Sequence, residues 1–236
     1  MKKTFYTLGF IFVLGFLYTA CSSTEKKVNT IAVDKKEMEA PFIKLEEIKI
    51  GTQVWTVKNY DGTTFLNGDP IPEAKTKEAW IQANQKKQPA WCYYENKPEN
   101  GEKYGKLYNW YAINDPRGFA PKGWKVPTAQ DWENLIAFLG GNVVAGGKLK
   151  STSQWENTFD GKNGNGSNES GFNAFPTGYI KSNGSFMGAG RESFWWTSTE
   201  KNNETVVARN LVSNNNRAFK TDLGKDNGLA LRLIKE

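Results

Sequence analysis

The sequence predicts an α+β fold with irregular antiparallel sheets, one or two short helices and long loops. Turn signals are dense: Asp61-Gly62, Asn67-Gly68, Asn100-Gly101, Asn183-Gly184 and Asn227-Gly228 punctuate the chain. Helical periodicity is confined to two stretches. All nine tryptophans fall between Trp55 and Trp196, and aromatics make up 14% of the residues against 38% for all hydrophobics, so the core is built on rings.

The first element is a hairpin. Glu47-Ile48-Lys49-Ile50 and Gln53-Val54-Trp55-Thr56-Val57 flank Gly51-Thr52. A helix over about Thr76 to Gln85 follows, with Trp80 and Ala83 turned inward. The clearer helix opens at Thr128-Ala129-Gln130-Asp131. There Thr128 can accept a backbone N–H at the third helical position and Asp131 can reach back to the cap. Pro127 precedes it, Gly140-Gly141 stops it, and Trp132, Leu135, Ile136 and Leu139 recur on one face. From Lys150 to Phe194 a Gly/Asn/Ser-rich segment shows little periodicity, and a loop of that length is unusual unless functional or otherwise held. The C-terminus predicts a meander with strands at Val206 to Val212 and Arg217 to Leu223, then a last strand from Leu229 to Ile234. In that last strand Leu229, Leu231 and Leu233 alternate with Ala230, Arg232 and Ile234, as in a strand buried on one side.

Residues 1–20 stand apart from this body. Lys2 and Lys3 precede the uncharged apolar run Leu8 to Leu17, the arrangement of a secretory signal, and the run is short for a permanent span. Leu17-Tyr18-Thr19-Ala20-Cys21 resembles a bacterial lipobox, with cleavage after Ala20 and a lipid on Cys21. An ordinary signal ending near Ala20 would leave Cys21 a free thiol. Residues 21–45 are charged and polar over most of their length, too poor in apolar surface to offset ordering entropy, and read as a flexible tether to a domain over 46–236. The expected address is the cell envelope, lipid-anchored in the outer membrane, with the side undetermined.

Composition narrows the chemistry. With 31 basic and 25 acidic side chains the formal charge is +6; losing Lys2 and Lys3, and no acid, with the signal leaves +4, a mild excess that does not call for nucleic acid. There is no histidine, which removes Ser-His-Asp and Cys-His catalysis and His-ligated metals. Two cysteines, Cys21 and Cys92, exclude a four-cysteine zinc site.

Blocks of the body occur in a recognisable order: KIGTQVW at 49–55, AWCYY at 90–94, YGKLYNWYA at 104–112, APKGWKVPT at 120–128, Asp131-Trp132, LGG at 139–141, GKLK at 147–150, NESGFNAFPTG at 168–178 and WWTST at 195–199. Together they resemble the Fibrobacter succinogenes major paralogous domain over roughly Ile48 to Ile234. The resemblance implies a secreted or lipid-anchored bacterial surface protein of unknown biochemical role. More distantly the pattern resembles C-type-lectin-like folds and the formylglycine-generating-enzyme family, which share a Trp-rich core, long loops and a final strand meeting the first. Family members usually end in a Val-Arg-Cys-type strand, whereas Leu233 follows Arg232 here. If they pair that cysteine with the one in the Trp-Cys-Tyr block, Cys92 has no partner and is expected reduced and buried. Formylglycine-type chemistry resembles one needing a cysteine pair, which a lipidated Cys21 would not leave.

Three groups could carry a function. Trp195-Trp196 could stack on a pyranose, with Arg191, Asn168 and Glu169 as polar partners, or could be strand core; alternation predicts one of the two partly exposed. Asp160, Asn163 and Asn165, on a glycine-flexible loop, are oxygen-rich enough for Ca2+, or are turn residues bonding their own backbone. Lys122, Lys125, Lys148 and Lys150 read as a solvated basic face, with an anionic polysaccharide site as the alternative. The expectation is a non-catalytic envelope lipoprotein binding a glycan or surface protein through loops 150–199. A structural envelope module without a ligand is the alternative, and a two-carboxylate glycan-processing enzyme the third reading.

Overall fold

The computed structural model describes residues 44–236; Cys21, the signal and nearly all of the tether lie outside the described residues. The hairpin forms as predicted, β1 at Glu47–Ile50 and β2 at Gln53–Thr56, turned by Gly51 at φ +62°. α1 spans Lys77–Gln85, with the Thr76 side chain accepting from Ala79 N and Trp80 fully buried. β3 (Trp91–Cys92), a 3-10 turn at Tyr94–Asn96, α2 (Glu99–Tyr104), β4 (Leu107–Asn109), α3 (Trp110–Ile113) and β5 (Trp124–Lys125) follow. α4 spans Ala129–Phe138 under the predicted cap: Thr128 Oγ1 accepts from Asp131 N and Asp131 Oδ2 accepts from Thr128 N. α5 is Asn142–Leu149, and the remaining strands are β6 (Thr177–Ile180), β7 (Phe186–Ala189), β8 (Glu192–Glu200), β9 (Thr205–Val212), β10 (Phe219–Gly224), β11 (Gly228–Leu229) and β12 (Ile234–Lys235).

Two sheets organise these strands. One runs β1-β2-β12-β5; the other runs β10-β9-β8-β6-β11-β4-β3, with β7 on β6. β12 pairs antiparallel with β2, so the end of the chain closes on its first hairpin. The α+β class is therefore as predicted, but three helices were not foreseen. α2 and α3 are too short for a periodicity to show. α5 carries Gly146 and Gly147 in its interior, against helix propensity, because a Cβ at either position would meet Asn216 or Arg217 at 2.8 Å or less. Close packing has overridden propensity there.

All nine tryptophans are buried, none more than 8% exposed, and they divide between two cores. Trp55, Trp80, Trp132, Trp155 and Trp195 lie in the first, where ring centroids of Trp55 and Trp132 are 5.0 Å apart and those of Trp132 and Trp195 5.9 Å. Trp91, Trp110, Trp124 and Trp196 lie in the second, with Tyr60, Tyr108 and Phe119. β8 runs between the two. Alternation sends Trp195 to one core and Trp196 to the other, and both are fully buried, which corrects the expectation that one would be partly exposed. The same holds at the C-terminus. Leu229 to Ile234 is buried on both sides, not one: Leu229, Leu231 and Leu233 enter the second core and Ala230 and Ile234 the first. Nor is it one continuous strand, since only β11, a bridge at Ala230 and β12 are paired.

Arg232 sits within this doubly buried segment, 1% exposed. Its Nε donates to Asn59 Oδ1 at 2.8 Å, Nη1 to Thr56 O at 2.7 Å and Nη2 to Asn173 O at 3.2 Å, while the guanidinium lies 4.5 Å from the Phe172 ring centroid. Arg232→Met should therefore strand three acceptors and cost about 3 kcal/mol or more of unfolding free energy, read by urea titration. Arg232→Lys, whose single ammonium cannot match a planar fork, should recover only part of it.

Candidate functional site

A concavity opens beside Arg232. It has a volume of about 730 Å3. Its walls come from the chain leaving β2 (Thr56 to Asp61), from α2 and Gly105, from Lys44 to Glu46, and from Gln154, Asn173 and Phe175; Arg232 lies at its floor. The floor is tied down on every side. Asn59 Oδ1 accepts from Arg232 Nε and also from Trp195 Nε1 at 2.9 Å, while Asn59 Nδ2 donates to Tyr104 O at 2.9 Å. Gly105, at φ +72°, is required here, because a Cβ would meet Asn59 Cβ at 2.9 Å. Burial with no carboxylate bonded to it pulls the Arg232 guanidinium down to about 9, and burial, with help from Asp61, pushes the Tyr60 phenol up to about 12.

The rim is polar and of mixed sign. Lys58 pairs with Glu46 at 3.3 Å, and Lys103 Nζ stands 4.6 Å over the Tyr104 ring. Two rim residues, Gln154 (φ +76°) and Asn173 (φ +54°), hold left-handed backbone conformations without being glycine. Asparagine tolerates that region, whereas an exposed glutamine there carries strain that the surrounding structure must hold in place.

The residues singled out in the sequence do not assemble into one site. Trp195 and Trp196 offer no ring face to solvent; their indole N–H groups donate to Asn59 Oδ1 and to Tyr108 O. The stacking platform is thereby overturned, because a strand between two cores has no outer face. Arg191 caps the β7–β8 turn and pairs with Glu156 at 3.0 Å. Asn168 occupies a left-handed turn, its Oδ1 accepting from Asn173 N at 2.8 Å, and Glu169 pairs at the surface with Lys148 at 3.1 Å. Asp160 is engaged by the Lys162 ammonium at 2.6 Å and by Thr158 Oγ1. Asn163 Oδ1 accepts from Asn165 N, and Asn165 Oδ1 from Trp155 N. These oxygens bond within their own segment, and no group of three or more acidic, Cys or His side chains suited to a metal occurs among the described residues. Cys92 is free and buried, and burial pushes its thiol up, away from thiolate character.

Sequence reasoning missed the buried cations. Lys150, placed with Lys122, Lys125 and Lys148 on a solvated face, is 1% exposed. Its ammonium donates to Gly164 O at 2.7 Å, Asn215 O at 3.0 Å and Val212 O at 3.3 Å, near the Trp155 ring, and so holds the 150–166 loop to the end of β9. Lys125, by contrast, pairs with Asp131 at 3.3 Å. Lys106 lies over the Trp91 and Tyr93 rings and Arg209 bonds Glu133 and Ala129 O, both nearly out of solvent. One signal was present: Arg232 is the only charge in the apolar run Leu229 to Ile234.

With the architecture in view, comparison with known proteins decides the family. The family model described as the Fibrobacter succinogenes major domain matches residues 48–235. The chain belongs to this family. The match runs from β1 into β12 and takes in every wall of the cleft except its Lys44 to Glu46 lip. No curated protein matches the chain, and no solved structure does.

Burial draws the Lys150 ammonium down to about 8, below the value it takes in the unfolded chain. The unfolded state then binds more protons above pH 8, so this group should make the protein more stable as pH rises from about 8 to about 10. The check is the difference between wild type and Lys150→Met across that range in urea titrations, with wild type gaining relative to the variant.

Proposed function

We propose that this chain is a non-catalytic cell-envelope lipoprotein whose folded body is a binding module for a glycan or a surface protein. Ligand contact falls at the cleft above Arg232. The observation that carries this reading is the rim: Gln154 is held in a strained left-handed conformation where the cleft opens, beside Asn173 in the same region and over a floor that Asn59 and Arg232 tie together. Strain retained at a concave, polar surface fits a presented contact residue. The rim carries both donors and acceptors (Lys58, Glu46, Lys103, Glu102, Gln154, Asn173), which suits a hydroxyl-rich ligand or a polar peptide surface. Gln154, Asn173 and Phe175 belong to the 150–199 segment, so part of the expected contact region is kept while its tryptophans are not.

Support for a non-catalytic role comes from the inventory of nucleophiles and bases. The chain has no histidine, its Cys92 thiol is buried, and of the cleft carboxylates Glu46 is paired with Lys58 while Asp61 and Glu102 are the ones a two-carboxylate chemistry would have to use. A lectin-like scaffold belongs to this proposal too; the pairing of β12 with the first hairpin and the long irregular 150–176 stretch favour it. The lipid anchor at Cys21 and the outer-membrane address rest on the leader's charge, apolar run and Ala20-Cys21 junction. The competing reading, a structural envelope module without a ligand, is favoured by the inward turn of every tryptophan and by the way the 150–176 segment is bonded onto Lys150 and its own backbone.

A glycan array and an envelope-protein pull-down with the full chain, with and without calcium, separate the two. For a captured ligand, Gln154→Gly should weaken binding three- to tenfold, the value of one or two lost hydrogen bonds, while leaving stability unchanged or about 1 kcal/mol higher as the strained backbone relaxes. A ligand insensitive to Gln154→Gly and to Lys103→Ala would place binding elsewhere, and an empty screen would favour the structural module. For the anchor, cells fed a tagged fatty acid should label the wild-type protein and not Cys21→Ala; an unlabelled wild type would remove the lipid from the proposal.

A further inference from the structure

The larger sheet ends on one side in a strand whose outer edge is open. β10 bonds to β9 in unbroken register, Phe219 opposite Asn210 through Gly224 opposite Thr205. Beyond that ladder the backbone of Phe219 to Leu223 makes no hydrogen bond to any other described residue. The opposite end of the sheet is not comparable, since β3 has two residues and Trp91 is already bonded to Pro72 O and by Ala74 N. Open edges invite pairing, and proteins commonly block them with charged side chains, prolines or bulges. β10 has no proline, its register with β9 shows no bulge, and its two exposed side chains, Lys220 and Asp222, are of opposite sign.

Their order matters more than their presence. We propose that β10 pairs antiparallel with β10 of a second copy of this chain, about a two-fold axis passing through Thr221. In that register each Lys220 faces the other copy's Asp222, giving two opposite-charge pairs on the solvent face. Phe219 faces Leu223 on the half-buried face, twice over, and Thr221 meets its own mate. Cross-strand pairs of these kinds are the units that stabilise a sheet edge, and an isologous contact requires such self-complementarity. Lys220 has no acidic partner among the described residues, and Asp222 reaches Lys201 only at 3.9 Å between exposed groups, so both are available. β1, the other edge with both signs of charge, is four residues long, and its Glu47 is already taken by Lys235 at 2.7 Å.

The test is sedimentation equilibrium of the full chain in mild detergent, counting protein mass alone. Wild type should dimerise. Lys220→Glu and Asp222→Lys each turn two facing opposite charges into two like ones and should raise the dimer dissociation constant about tenfold. The Lys220→Glu/Asp222→Lys double variant restores both facing pairs and should return the constant to near the wild-type value. Because both side chains are exposed, folding is expected to survive and is checked by circular dichroism. A wild type that stays monomeric, or a dimer indifferent to the single changes, overturns the proposal; so does a double variant no tighter than the singles.

Discussion

A single guanidinium joins parts of this protein that are far apart in sequence. Arg232 bonds the backbone at Thr56, the side chain of Asn59 and the backbone at Asn173, and Asn59 passes the connection to Trp195 and Tyr104. The end of β2, the last segment, the irregular loop before β6, the central strand β8 and the end of α2 therefore meet at one point. A buried charge is costly, and here it is compensated by carbonyl dipoles and an aromatic face instead of a carboxylate. Such compensation depends on geometry: three acceptors diverge from different segments, and only a planar, five-donor fork reaches them together. The fold has to be complete for Arg232 to be satisfied, which couples its far ends cooperatively.

The pattern recurs. Lys150 gathers carbonyls from Gly164, Val212 and Asn215, and Lys106 is held against rings and the carbonyl of Asp61. Only Arg209 among the buried cations has a carboxylate, Glu133, within bonding reach. A protein with long loops and short strands has many backbone carbonyls that no ladder satisfies, and each unmet one would be costly. A long cationic side chain threaded from a neighbouring element can meet several at once. Lys150 in this way helps the backbone hydrogen bonds to hold the 150–176 segment, which has little regular structure, to the body.

How much of this was legible depends on range. The hairpin, the capping box at Thr128 and Asp131, the face of α4 and the aromatic core follow from local rules, and the structure reproduces them. α5 was not legible, because Gly146 and Gly147 argue against a helix until the neighbouring Asn216 and Arg217 are seen to demand their small size. Trp195 and Trp196 were misjudged for a related reason. Alternation correctly sends them to opposite faces of β8, but no local signal says that both faces are covered. Lys150 looked like its solvated neighbours, since a lysine's burial is decided by carbonyls distant in sequence. Arg232, a lone charge within a run of apolar residues, was the one long-range feature with a local trace.

The buried tryptophans also change where recognition can occur. A platform on Trp195 and Trp196 would have put ligand contact on the central strand, and the two cores exclude that. What remains accessible near β8 is the cleft that its indole helps to floor through Asn59. There Arg232 bonds the Asn173 carbonyl directly, and Gln154 stands beside it at the opening in a left-handed backbone conformation. Rigid support beneath a strained, polar rim lowers the ordering cost that a flexible loop would incur on binding. On the binding reading proposed above, the same buried cation that closes the fold also underlies the cleft, without itself being exposed.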